Sequence, residues 1–195
     1  MSLNLNVYCK EVSADLIPKI VKRLNDFDMV VDVHPDFTFD EEKDCGFLPF
    51  KFRLKNPDID ALKDKDLKSG FELYIEDFNL QKTKDELKPK QSFFDKLLGK
   101  KQPDIAFASS DIEKRLKYCK KVIIFVWHTG DIFQLRFASL TSAILTEITN
   151  GVCCYLADDI WYDNKNIVEN AFNEAKKYEQ SVKKNDFEFY EFDEW

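Results

Sequence analysis

Residues 122–161, VIIFVWHTGDIFQLRFASLTSAILTEITNGVCCYLADDIW, decide the fold that this sequence predicts. The first six residues form a continuous apolar run, which is typical of a strand buried on both faces. Residues 131–150 then place apolar side chains at helical spacing over a wide arc, which predicts a helix covered by other elements. Asn150 and Gly151 supply a left-handed stop, and residues 152–156 resume as a strand. The stretch therefore predicts a strand–helix–strand unit.

The beginning of the chain predicts a second unit of the same order. Residues 3–9 have strand character, a helix follows the N-cap candidate Asp15, and residues 29–33 form the next strand. Between the two units, residues 50–54 and 71–75 alternate apolar with polar side chains, which predicts an antiparallel hairpin with a long connection. The outward charges are basic on the first strand and acidic on the second, so we expect them to pair across the ladder.

These elements predict a single α+β domain that spans residues 1–195. We expect a mixed sheet with helices mainly on one face, containing two βαβ units and a central hairpin, in a broadly ferredoxin-like arrangement. Residues 79–108 are rich in lysine and contain two prolines, so we interpret them as an irregular insertion.

The composition argues against several classes of function. A net charge of −7 does not suit a general nucleic-acid binder. No run of about 18 apolar residues and no secretion signal is present, which predicts a cytoplasmic chain that neither spans a membrane nor is exported. The five cysteines have no framework spacing, so we expect reduced thiols. The isolated glycines exclude phosphate-binding loops, and no zinc-ligand spacing occurs, so the sequence predicts no cofactor and no metal.

Four polar residues are the candidates for a catalytic site. If the two strands of residues 122–161 run parallel, His128 and Asp131 leave the sheet at the same edge as Asp158 and Asp159. Ligands of open α/β sheets usually bind at such an edge. One imidazole among carboxylates could act as a general base or hold a divalent cation. Residues in such short patterns more often have structural roles: His128 would bond a backbone carbonyl, Asp131 would cap the helix, and Asp158 and Asp159 would form a turn.

Two aromatic groups are the candidates for binding a partner. Phe93 and Phe94 lie in the Lys-rich insertion, and the last ten residues combine five acids and no base with Tyr190, Phe192 and Trp195. Phe93 and Phe94 could instead fold back on the core, and the C-terminal residues could instead form an ordinary final strand.

The charge is distributed unevenly along the chain. Residues 82–101 contain seven Lys and three acids, which gives this segment a charge of +4. Because the whole chain carries −7, the rest of the chain carries −11. This asymmetry favours association with a basic protein partner, and solubility alone is the alternative explanation.

One passage resembles a known class of protein. Residues 143–152, followed by Tyr155 and residues 158–162, are similar to a pattern in small uncharacterised bacterial proteins, some of which resemble immunity proteins that neutralise a co-encoded toxin. The resemblance covers about 20 residues, mostly core positions, and carries no functional residue. It implies a non-enzymatic protein-binding module, which could be an immunity protein against a basic toxin such as a nuclease. The alternatives are a small hydrolase-like enzyme built on His128 and a structural subunit of a larger assembly.

Overall fold

The computed structural model of the protein describes residues 3–39, 46–89, 105–128, 130–183 and 187–195. Within these ranges the chain forms eight strands and five helices. The strands are β1 (Leu3–Cys9), β2 (Met29–Val33), β3 (Phe47–Leu54), β4 (Leu67–Asp77), β5 (Lys121–Trp127), β6 (Val152–Tyr155), β7 (Ile160–Trp161) and β8 (Tyr190–Glu191). The helices are α1 (Leu16–Leu24), α2 (Leu80–Leu87), α3 (Ser110–Leu116), α4 (Gln134–Thr149) and α5 (Ile167–Ser181).

All eight strands belong to one sheet, in which every neighbouring pair is antiparallel. The order is β2-β3-β4-β5-β1-β6-β7, and β8 pairs with β4. The predicted α+β class is confirmed. The predicted mixed sheet with two βαβ units is wrong, because no two parallel strands of the described chain are hydrogen-bonded neighbours. The ferredoxin-like arrangement is wrong in the same respect.

The position of β1 explains this difference. The strand lies between β5 and β6 and is antiparallel to both, so β5 and β6 run in the same direction without pairing. Trp127 pairs with Leu3 and Cys154 pairs with Asn6, which places the ends of β5 and β6 at the edge where β1 begins. The expectation that these two strands end at one edge is therefore correct, although its basis in direct parallel pairing is not.

The predicted hairpin is present as β3 and β4, but its register differs from the one that the charges suggest. Lys51 lies opposite Lys68 and not opposite an acid, so the predicted pairing of charges across the ladder is wrong. Asp66, in the connection between the strands, instead forms ion pairs with Lys51 and Arg53 at 3.2 Å and 2.8 Å. The loop carboxylate thus neutralises the basic strand.

Alternation along the strands divides the apolar side chains between two faces of the sheet. The main core lies on the face covered by α1, α4 and α5, where Phe137 of α4 stacks on Phe50 with ring centroids 4.6 Å apart. A smaller cluster around Tyr8 lies on the opposite face, against α2 and α3. Cys153 belongs to the main core and Cys154 to the smaller cluster, as strand alternation predicts.

Local sequence signals locate the end of one helix and the start of another. Asn150 ends α4 with a left-handed φ of 51°, and the Gly151 N–H donates to the Thr146 carbonyl at 2.9 Å, as predicted. Within the segment predicted to be irregular, α2 begins after Asn79, whose side chain accepts a hydrogen bond from the Lys82 N–H at 3.0 Å. None of the helices in the described ranges is long and apolar enough to cross a bilayer.

Candidate functional site

His128 follows the last residue of β5 and lies on the face of the sheet opposite the main core. Its imidazole is 54% exposed, and Nε2 lies 3.6 Å from Oε1 of Glu72. The other carboxylate oxygen of Glu72 accepts a hydrogen bond from the Tyr74 hydroxyl at 2.8 Å. Glu72 and Tyr74 alternate with core residues along β4, so this group faces away from the main core. The carboxylate beside His128 is therefore one that the sequence analysis did not single out.

Asp131 is buried at the start of α4. Its carboxylate accepts a hydrogen bond from the Ser69 hydroxyl at 2.9 Å and one from the Phe133 N–H at 2.8 Å. Burial raises the pKa of the Asp131 carboxyl, and the hydrogen bonds from Ser69 and Phe133 offset only part of that rise. These contacts join the first turn of the helix to β4, which is a structural role.

Asp158 and Asp159 lie exposed in the turn after β6. Asp159 has a left-handed φ of 53° and accepts a hydrogen bond from the Trp161 indole N–H at 2.8 Å. His128, Asp131 and Asp159 therefore contact different partners. No contact among the described residues brings the four predicted catalytic residues together.

The predicted C-terminal binding residues lie on the surface of the sheet. Tyr190 and Trp195 are exposed, whereas the Phe192 ring lies 4.8 Å from the ammonium of Lys51. Trp195 packs edge-on against His34, with centroids 5.3 Å apart. The aromatic rings of this segment thus already have contacts within the chain.

The acids of the same segment are partly neutralised. Ion pairs join this segment to lysines near the start of β4: Glu191 with Lys65, and Asp193 with Lys68 at 2.6 Å. The other predicted binding pair, Phe93 and Phe94, lies outside the described residues.

A partly open cleft lies on the helix side of the sheet, at the edge where β5 and β6 end. Its smaller part, the aromatic chamber, has a volume of about 170 Å³ and is lined by three rings and one carboxylate. These residues are Trp127, Tyr155, Tyr162 and Glu174. The chamber contains Trp127, the last residue of β5, but none of the four predicted catalytic residues.

The larger part of the cleft, the polar chamber, has a volume of about 270 Å³ and is lined by residues of α4 and α5. It shares Tyr162 and Glu174 with the aromatic chamber and adds Asp163, Asn170 and Lys177. The two chambers thus lie side by side and combine apolar and polar lining residues.

Glu174 carries the charge of the aromatic chamber. The ion pairs of α5 are formed by Glu169, Lys176 and Glu179, whereas Glu174 forms none with a described residue. Burial raises the pKa of Tyr162 to about 12, and the nearby Cys153 and Glu174 add to this rise. An unpaired carboxylate beside a protonated phenol makes the chamber suited to a cationic group.

A buried ion network lies on the same side of the sheet. The Arg136 side chain is fully buried and contacts carboxylates from α5 and from the turn before β2: Glu179 at 2.7 Å and Asp28. Lys176 pairs with the second oxygen of Asp28 at 2.9 Å. The network lines a cavity of about 280 Å³. The ion network was not predicted from the sequence, although a lone Arg in an otherwise apolar helical face was an available signal.

The two positive and two negative side chains of this network compensate one another. We therefore interpret the network as part of the packing between α4 and α5. No group of three or more His, Cys, Asp or Glu in the described ranges is arranged to hold a metal ion.

Comparisons with protein-family models, with curated proteins and with solved structures find no match. The resemblance of residues 143–162 to immunity proteins therefore stays a prediction. Any proposal of function depends on the cleft and on the charges described above.

Proposed function

We propose that this chain is a non-enzymatic protein-binding module whose partner is a basic protein. The observation that carries the proposal is the helix-side cleft, whose rim holds two carboxylates, Asp163 and Glu174, that form no ion pair with a described residue. A cationic surface would supply the charges that these carboxylates lack. The class of partner is the one that the overall charge of −7 also favours.

Ion pairs within the chain leave its net charge of −7 unchanged, because each pair joins a negative group to a positive one. Most described lysines and arginines already contact a carboxylate. The ion-paired residues are Lys19, Arg23, Lys51, Arg53, Lys63, Lys65, Lys68, Lys82, Lys84, Lys88, Lys114, Lys121, Arg136 and Lys176. The unpaired acids therefore dominate the field that an approaching protein meets, and such a field accelerates association with a basic partner.

The residues of the cleft are those that protein interfaces favour. Tryptophan and tyrosine are enriched among the residues that contribute most to binding energy, because they bury a large area and lose few rotamers. Three of these rings line one chamber of the cleft here. Two acids of the C-terminal segment already form ion pairs within the chain, so that segment offers less free charge to a partner. This agrees with partner contact at the cleft.

A basic toxin such as a nuclease is the partner class that we favour, in keeping with the resemblance to bacterial immunity proteins. An acidic module that covers the cationic surface of a nuclease would block its contact with phosphates. Such a module needs no catalytic residue of its own.

Affinity capture from the cells that naturally produce the chain tests this proposal. The tagged chain is bound at low ionic strength, washed and eluted with rising salt, and the eluted complex is examined by native mass spectrometry. We expect a stoichiometric complex with a protein of high isoelectric point, released by salt. Capture of no stoichiometric partner at low ionic strength, or of an acidic one, would overturn the proposal.

A further inference from the structure

We infer that the aromatic chamber binds the side chain of an arginine from the partner. This inference rests on the proposed function and adds the chemical group that the cleft recognises. It follows from the walls of the chamber, from its charge and from the position of the nearest lysine.

The walls of the chamber fit a long side chain with an apolar stem. Leu3 and Leu5 of β1 line the chamber together with Trp127, which is only 6% exposed at the end of β5. Tyr155 and Tyr162 are half-buried and present rings at the chamber. A volume of about 170 Å³ accepts one side chain and not a folded segment. The methylene stem of an arginine would replace water against these apolar walls.

The charge of the chamber favours a cation. Glu174 is the charged group among the described lining residues, and it has no ion-pair partner among them. Lys177, one turn further along α5, lines the polar chamber but not the aromatic chamber. Among the described residues of the aromatic chamber, Glu174 therefore has no cation against it, and a guanidinium would supply one.

Arginine fits this combination better than lysine. Its planar guanidinium stacks on aromatic rings and donates two parallel hydrogen bonds to one carboxylate, whereas an ammonium is a compact and strongly hydrated charge. Tyr162 and Glu174 line the same chamber, so one guanidinium can contact a ring and the carboxylate together.

Titration with N-acetyl-arginine amide tests the inference without knowledge of the partner. The shift of the Trp127 indole N–H is followed by NMR on the full chain, with the lysine analogue and the uncharged citrulline analogue as comparisons. We expect saturable binding of the arginine analogue, weaker binding of the lysine analogue and none of the citrulline analogue. Equal shifts with citrulline, or no shift at Trp127, would overturn the inference.

Two substitutions, each of which removes one negative charge, distinguish an effect of the chamber on arginine binding from an effect of the overall field. Glu174→Gln changes the chamber, whereas Glu76→Gln removes one acid from the exposed end of β4. We expect Glu174→Gln to weaken the arginine analogue at least about fivefold and Glu76→Gln to weaken it less than about twofold. Thermal unfolding confirms that both variants fold. Equal weakening by the two variants would contradict a site at Glu174.

Failure of this inference can be told apart from failure of the proposed function. If the captured basic partner binds Glu174→Gln as tightly as the original chain, the arginine site is wrong and the protein-binding function stands. If the arginine analogue occupies the chamber but no basic protein partner exists, the site stands and the proposed function fails.

Discussion

Arg136 and Glu179 form a bidentate ion pair between α4 and α5, with Nε–Oε1 and Nη2–Oε2 distances of 2.7 Å each. The guanidinium is fully buried and also contacts Asp28. Burial alone would raise the pKa of the Asp28 carboxyl, but the charge and hydrogen bonds of Arg136 and Lys176 outweigh burial, and this pKa is lowered. The network thus stays charged and holds α4, which contacts the sheet, against α5.

Replacing the buried guanidinium should destabilise the fold strongly. Arg136→Met keeps much of the side-chain volume but leaves the carboxylates of Glu179 and Asp28 without their cation. We expect a loss of about 3–5 kcal/mol in the free energy of unfolding, measured by urea denaturation. The control is Arg53→Met, because Arg53 is 51% exposed and its ion pair with Asp66 should contribute less than about 1 kcal/mol. Equal losses for the two variants would contradict the role given to Arg136.

Asp131 should make the fold less stable as the pH rises. Its folded pKa is raised, so the unfolded chain ionises first, near the ordinary carboxyl pKa of about 4. Between that value and the folded pKa, the unfolded state binds fewer protons than the folded state, and stability is lost with rising pH. The pKa values of several other carboxyls are lowered in the folded chain, so these groups make stability rise with pH. The quantity to measure is therefore the difference in the free energy of unfolding between the original chain and Asp131→Asn at each pH.

Asp131→Asn should keep an acceptor for the Ser69 hydroxyl and the Phe133 N–H, which both donate to one oxygen, and remove this pH dependence. We expect the asparagine variant to be at least as stable as the original chain at neutral pH. Asp131→Ala should cost about 1–2 kcal/mol, because the Ser69 hydroxyl and the Phe133 N–H lose their acceptor. A large loss in the asparagine variant would show that the carboxylate charge itself is required.

Gly70 should be intolerant of a side chain. A Cβ at this position would lie 2.2 Å from the carbonyl oxygen of Leu48 on the paired strand β3. We expect Gly70→Ala to cost about 1–3 kcal/mol or to shift the β3–β4 register. Gly46→Ala is the matched control, because a Cβ there meets no atom of a described residue within 4 Å. Chemical denaturation measures both changes, and equal stability of the two variants would contradict the described register.

The thiols of β6 should be inert in the folded protein. Burial raises the pKa of Cys153 to about 12 and that of Cys154 to about 12. Because the thiolate is the reactive form, alkylation near pH 8 should leave both residues unlabelled until the chain unfolds. Peptide mapping by mass spectrometry checks this for each cysteine. Labelling of Cys153 in the folded chain at the rate of a free thiol would contradict its burial.

The sequence predicted the elements of the fold better than their pairing. Apolar runs and alternation located β1, β3, β4, β5 and β6, because these patterns reflect local burial. The insertion of β1 between β5 and β6 depends on contacts between residues more than 100 positions apart, which no local pattern records. The register of β3 on β4 was missed because core packing outweighed the match of surface charges, which contributes little.

The aromatic chamber lies at the edge where β5 and β6 end, but it contains none of the four predicted catalytic residues. The common edge of β5 and β6 was correct, and Trp127 lies in a cleft there. Asp131 and His128 are close in sequence, but the Asp131 carboxylate is buried and accepts a hydrogen bond from the Phe133 N–H, while the imidazole faces solvent. Glu174 was missed because it comes from α5, whose placement beside α4 is a tertiary contact.

The dependence of affinity on salt concentration tests the central claim most directly. The captured partner is purified, and its association and dissociation rates with the chain are measured over a range of ionic strength. We predict that the association rate falls steeply with added salt while the dissociation rate changes less, because unpaired acids steer a basic partner. An association rate that is independent of ionic strength would contradict recognition by charge.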